Sequence, residues 1–164
     1  TALFSGDIKK AAHNVKDLMA ALLAQGLPIE GFVFDTALAA YLLDATAGSY
    51  DLQRLFVAYY NEELPRPVHL EPDAFSMLGD RAAAAVALLS YTAAVAALRE
   101  TLEPKLRELE LEPLYYDVEL PLCAVLARME QRGFLIDRAA LAQFGETLQT
   151  STSSCSPRSV AEPT

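Results

Sequence analysis

Tryptophan does not occur in these 164 residues, and cysteine occurs only at Cys123 and Cys155. Two cysteines so far apart in sequence make no metal-ligand pair. Cys123 reads instead as a free, buried thiol in a reducing compartment. Cations are scarce as well: 13 Lys and Arg face 22 Asp and Glu, for a formal net charge of −9. A protein that grips nucleic acid through its phosphates needs clustered Lys and Arg, because counterion release supplies much of the affinity. No basic stripe is present, so this chain alone is expected to bind DNA weakly or not at all. Long apolar runs are also missing. The longest, such as residues 82–89, fall short of the ~20 residues that cross a bilayer. No basic stretch followed by an apolar one marks a secretory signal. The first residue is Thr1 rather than methionine, which suggests a start inside a longer protein. No repeat appears at solenoid periods.

What is abundant is Ala and Leu, within a hydrophobic share of 52%. Both are strong helix formers. A chain of this length can bury roughly 70% of its unfolded surface in one domain. Residues 8–12 read as a short strand, and Asn14 stands where an N-cap would, before a helix over 16–25 that Gly26 ends. The aromatic and β-branched run Gly31-Phe32-Val33-Phe34 reads as a second strand. Asp35 caps a helix over 36–43, Gly48-Ser49 breaks the chain, and Asp51 opens a helix to about Tyr60. Pro65, Pro67 and Pro72 mark a loop. Residues 73–109 are helical almost throughout, with a break near Gly79. An amphipathic helix over 114–132 carries Pro121 in an early turn, and Gly133 ends it. Phe134-Leu135-Ile136 is extended, and Asp137 caps a last helix. From Thr150 to Thr164 the chain holds five Ser, three Thr and two Pro, with Val160 as its sole large aliphatic residue. Such text cannot offset the entropy of ordering, so disorder is expected there.

Three stretches together resemble the bacterial DNA polymerase I family. The first, Ala12-His13-Asn14-Val15-Lys16-Asp17-Leu18 leading to Gly26, resembles the second exonuclease block, where a strand ends in Asn and passes into a helix. The second, from Gly31-Phe32-Val33-Phe34-Asp35-Thr36 to Ala40-Tyr41-Leu42-Leu43-Asp44, resembles a strand and helix written "FDT…AYLL". The third runs through Glu119-Leu120-Pro121-Leu122 and Val125-Leu126-Ala127-Arg128-Met129-Glu130 to Gly133-Phe134-Leu135-Ile136-Asp137. It resembles the helix and turn that lead into the polymerase thumb. Their order and spacing cover residues 8–149. The resemblance implies an α/β, helix-rich fold: the C-terminal part of a ribonuclease-H-like 3′–5′ exonuclease domain, then the first helices toward a thumb. It divides the chain into a partial exonuclease-like region (1–112), a connecting helix and start of the polymerase domain (113–149), and an aberrant or disordered tail (150–164).

In that family, exonuclease action uses two divalent metals held by carboxylates, which stabilise the attacking and leaving oxygens together. Hard cations need oxygen ligands, so apolar residues cannot stand in for Asp or Glu. The first Asp-x-Glu strand would lie upstream of Thr1. In the second block, Asn14 is followed by Val15-Lys16-Asp17-Leu18. Gapless alignment puts Asp17 where an aromatic belongs and Leu18 where the ligand belongs. A one-residue shift restores Asp17 but not the aromatic. The third block needs Tyr, three residues, then Asp. Tyr91 is present, the residue four later is Val95, and residues 81–98 contain no Asp or Glu. The resemblance thus implies a vestigial second block (Asn14, Asp17), an empty third block (Tyr91, Val95) and no bound metal or cofactor in this segment. Asp35 and Asp51 read as helix caps, His13 and His69 as isolated polar groups, and Tyr50, Tyr59, Tyr60, Tyr115 and Tyr116 as packing residues.

The expected role is therefore a non-catalytic scaffold within a DNA-directed DNA polymerase of replication and repair. The whole protein would use Mg²⁺, hold DNA and work in the bacterial cytoplasm, and this segment would touch the remainder of the polymerase but no membrane. An active ribonuclease D-type exonuclease and a non-enzymatic helical interaction module are the alternatives. The Ser-rich end suggests a frameshift or truncated gene, or else a natural disordered terminus. Without its first strands the fold would expose a sheet edge and be marginally stable.

Overall fold

The computed structural model describes residues 2–65 and 80–154. By their contacts they fall into two compact units, Thr1–Gln131 and Arg132–Thr164. The first opens with a 3₁₀ turn, Ala2–Phe4, followed by strand β1 (Lys10–Ala12), helix α1 (Val15–Ala24) and strand β2 (Phe32–Asp35). β1 and β2 pair in parallel, with α1 as the crossover, and the register slips once between Lys10 and Ala11. Gly31 makes the entry into β2 possible. Its φ is +76°, and a Cβ there would strike the backbone carbonyls of Ile8 and Ser5.

α1 ends as its sequence predicts. Gly26 takes φ +66°, its N–H donates to Leu23, and the Leu27 N–H donates to Leu22, which is a Schellman closure. Its start differs from expectation. Asn14 occupies the N-cap position with φ 55° and caps nothing with its side chain. The cap arrives from Asp35, 21 residues downstream of Asn14. Helix α2 (Thr36–Leu43) starts at Asp35 and helix α3 (Leu52–Tyr60) at Asp51, both as the cap residues predict.

Helix α4 (Asp80–Glu108) crosses α2 and α3 and touches β1. The expected helix over 73–79, its break near Gly79, and the turn residues Pro67 and Pro72 lie outside the described residues. Ala94, Leu98, Leu102 and Leu106, spaced by four, are at most 1% exposed and form the spine of a core with Phe34, Ala39, Leu52, Leu55 and Tyr115. Burying each such leucine contributes about 1.5–3 kcal/mol. Over Ala84–Glu108, α4 is long and apolar enough by length and composition to cross a membrane, which short-run counting misses. Its buried spine marks it as the central helix of a folded unit.

The single helix expected over 114–132 is two pieces. Leu114–Glu119 forms a π-helical turn, and helix α5 (Leu120–Arg132) follows. α5 buries Cys123 and Ala127 in a second cluster with Val15, Met19, Leu22 and Ile29. Contacts thus join residues 113–131 to those before them. The expected division at residue 112 is one of ancestry, and contacts do not test it.

In the second unit, Gly133 takes φ +63° and Asp137 Oδ1 accepts from the N–H groups of Ala139 and Ala140, at 3.0 Å each. This cap starts helix α6 (Arg138–Ser154). The helix extends past Gln149, where disorder was expected. Thr147 and Thr150 hydroxyls donate to the carbonyls of Gln143 and Glu146, so they satisfy themselves on the helix surface. The rest of the expected tail, residues 155–164, lies outside the described residues.

Candidate functional site

The junction where β1 and β2 feed α1 and α2 is organised by one carboxylate. Asp35 ends β2 and is 3% exposed. Its Oδ1 accepts from Asn14 N (2.9 Å), Ala37 N (2.9 Å) and Leu38 N (3.4 Å), and its Oδ2 from Val15 N (2.7 Å). One side chain therefore satisfies the free N–H groups at the starts of two helices. The Asp35 N–H donates to the Tyr115 hydroxyl (2.7 Å), and that hydroxyl donates back to the Asp35 carbonyl (3.0 Å). Burial pushes the Tyr115 phenol far up, so it stays a neutral donor. Four backbone N–H groups thus converge on the Asp35 carboxylate, which makes it a shared helix cap.

His13 lies beside this junction, with Nδ1 2.8 Å from Thr36 Oγ1 in a hydrogen bond. Burial lowers its pKa, and the nearby Asp35 and Asp51 oppose that only in part. Asp51 itself caps α3, accepting from Arg54 N at 3.0 Å. Its pKa is lowered by the Ser49 hydroxyl and the Arg54 N–H. His69 lies outside the described residues.

The second-block pair does come together. Asn14 Nδ2 donates to Asp17 Oδ2 at 2.6 Å, on the exposed first turn of α1. Asp17 faces Lys16 at 3.0 Å, and Lys16 reaches on to Glu130 of α5 at 2.7 Å. Hydrogen bonds from Lys16 and Asn14 lower the Asp17 pKa. The carboxylate is ionised, exposed and already matched by a cation. The third-block pair, Tyr91 and Val95, is half-buried on α4 and packs against the core around Leu98. Where a ligand would stand, Val95 presents a branched hydrocarbon. Two divalent cations require converging oxygens. Among the described residues, no three His, Cys, Asp or Glu side chains converge to hold a metal ion.

The five tyrosines find partners within the protein. Tyr50 donates to the Asp44 carbonyl, Tyr60 to the Ala97 carbonyl, and Tyr116 to Glu103. Lys105 lies 4.4 Å from the Tyr59 ring centroid. Burial, then the Glu103 hydrogen bond, pushes the Tyr116 phenol up to about 12. Sequence reading missed the Tyr115–Asp35 bonds, which bridge 80 positions and leave no local signal. It also missed an open cleft of about 610 Å³ lined by Met19, Phe32, Val33, Tyr116, Leu120 and Ala124, with Glu30 and Arg128 as its charged residues. That cleft includes none of Asp17, His13, Tyr91 and Val95, and offers no nucleophile beside a base.

Comparison with known proteins gives one consistent picture. The family model described as the DNA polymerase I ribonuclease H-like domain matches residues 1–66. The DNA polymerase I of Chloroflexus aurantiacus is 36% identical over 146 residues, covering 83% of this chain and 15% of that protein. That of Geobacillus stearothermophilus is 34% identical over 151 residues, covering 85% and 16%. Among solved structures, the polymerase domain of Pol1 from M. smegmatis, in complex with DNA primer-template and dNTP, matches with a TM-score of 0.67 at 29% identity. That match covers 87% of this chain and 22% of the other. The chain thus spans about 15–16% of the length of these two relatives.

Proposed function

Since this chain belongs to the DNA polymerase I family, with an α/β, helix-rich fold of ribonuclease-H-like descent, we propose that it is a catalytically inactive scaffold segment of a DNA-directed DNA polymerase. The observation that carries inactivity is the third block: Val95 packs into the core on a helix whose stretch from 81 to 98 has no carboxylate. The pairing of Asp17 with Lys16 supports it, because a cation already holds the one candidate ligand of the second block. Phosphodiester hydrolysis by two metals fails without their ligands. The residues here do not fit that metal pair.

In the parent protein, this segment would join the exonuclease-like region to the polymerase domain. The parent would copy DNA during replication and repair in the bacterial cytoplasm, with Mg²⁺ as cofactor and with DNA held by parts beyond this chain. The net charge of −9 supports that division of labour, since phosphate contacts need cations.

An assay on 5′-labelled single-stranded DNA with Mg²⁺ or Mn²⁺ tests the reading. The expected result is no shortening from the 3′ end and no retardation in a gel at 0.1 M salt. Metal-dependent 3′–5′ shortening by the purified chain, abolished in Asp17→Asn, would overturn it in favour of an active exonuclease. Sequencing the flanking genomic DNA tests the parentage: thumb and palm motifs should follow in the same or a shifted frame.

A further inference from the structure

Backbone pairing changes its step between Leu111 and Leu120. The Tyr115 N–H donates to the Leu111 carbonyl, four residues back, whereas the Leu120 N–H donates to the Tyr115 carbonyl, five back. One extra residue is thus absorbed before α5 begins. The next residue is Pro121, which has no N–H, and in regular pairing its ring strikes the carbonyl four back, that of Asp117. Burial follows the five-residue step. Tyr115 and Leu120 lie in the core around Leu98, and Cys123 and Ala127 continue that face at steps of three and four. Regular α-helical pairing from Tyr115 would align Val118, Glu119, Leu122, Leu126 and Met129 instead. Of these, Val118, Leu122, Leu126 and Met129 are 38–61% exposed. We propose that the π turn is a phase corrector, held in register by Pro121, that selects which of two apolar faces of α5 packs inward.

Two anchors make the correction necessary. At one end, Tyr115 is fixed by its two bonds to the Asp35 backbone. At the other, the small side chains of Cys123 and Ala127 pack with Val15, Met19 and Leu22 of α1. Lys16 bonded to Glu130, and Gln131 to the Leu23 carbonyl, hold the same pair of helices together further along. Both anchors are satisfied only when the chain between them takes one residue more than a regular helix needs. Out of phase by one position, Glu119 would take the place of Leu120 in the core, and Leu122 and Leu126 the places of Cys123 and Ala127. The first exchange buries a charge, and the second crowds α1. Pro121 excludes that register locally. Proline is common in the first turn of helices, so Pro121 by itself does not announce the π turn in the sequence. The inference uses only the geometry of residues 111–131 and is independent of the polymerase reading.

Thiol labelling of the full chain tests it, in a Cys155→Ser background that leaves Cys123 as the one thiol. Cys123 is 7% exposed, so dithionitrobenzoate should react far more slowly in buffer than in urea. Pro121→Ala admits the regular register and should speed labelling roughly tenfold or more, with helical circular dichroism kept, since a proline clash disfavours that register on the order of 100-fold. Deleting Val118 removes the extra residue and keeps both anchors in phase under regular pairing. It also brings the Pro121 ring onto the carbonyl four back, so the unfolding equilibrium constant should rise on the order of 100-fold. Joining the deletion to Pro121→Ala should then restore wild-type stability in urea together with slow Cys123 labelling. Two unrelated defects would add their costs; here the second change cancels the first. Labelling unchanged in Pro121→Ala would overturn the proposal. So would a joint variant that is unfolded, or one that stays folded with Cys123 reactive, because the deletion has then turned α5 out of phase. The exonuclease assay is unaffected by any of these outcomes.

Discussion

At the Asp35 side chain, four N–H groups from two helices meet one buried carboxylate, and removing it leaves all four without their acceptor. Hydrogen bonds to charged groups contribute about 1.5–3 kcal/mol each, with strong overlap when they share an atom. Asp35→Ala should therefore lower the unfolding free energy in urea by at least about 3 kcal/mol, and Asp35→Asn by about half as much. His13 adds a pH dependence. Burial depresses its pKa below the ordinary 6.5, so the unfolded chain binds the proton more readily. Its contribution is full above pH 6.5 and is lost as pH falls through the lower folded value. Urea midpoints measured from pH 7.5 to 5 should fall for the wild type, and less so for His13→Gln. The α2 cap was legible in the sequence, because Asp precedes Thr36 and an apolar helix. The α1 cap was not: Asn14 is the right residue type in the right place, yet the true acceptor sits 21 residues away.

Among the elements, α4 decides both stability and the fate of the site. Leu98 is fully buried on its spine, and Leu98→Ala should cost about 2–5 kcal/mol in a denaturant titration. Val95→Asp supplies the third-block carboxylate on the same helix. It should produce no metal-dependent nuclease activity, because Asp17 remains exposed and bound by Lys16, while stability falls from placing a charge against the core. The missing acid in α4 was readable from the sequence, since no register between residues 81 and 98 supplies one. The π turn over Leu114–Glu119 was not readable. A one-residue shift of backbone pairing changes no residue type, and the Tyr115 bonds that accompany it come from a strand 80 positions earlier. The length of α6 was misread for a related reason: Thr and Ser favour loops by bonding to nearby backbone, and here those bonds run along the helix instead.

For the whole molecule, the boundary between the two units follows α5. The segment after it holds Phe134 and Leu135, 87% and 101% exposed. Brief chymotrypsin treatment should cut there early, and mass spectrometry should find an N-terminal fragment ending at Phe134 or Leu135. The order of family blocks, and with it the fold class, was legible because strand and helix starts in 8–60 carry their own punctuation in Gly26, Gly31, Asp35 and Asp51. The pairing of distant parts was not, since it depends on contacts such as Lys16 with Glu130 that no local pattern announces. The shared carboxylate at Asp35 also sets how the first unit opens. The amides of Val15 and Ala37 belong to different helices, but both donate to the same side chain, so any motion that withdraws that carboxylate exposes both helix starts at once. In native-state hydrogen exchange the two amides should report one opening event with a common free energy, and in Asp35→Asn their exchange should separate into two.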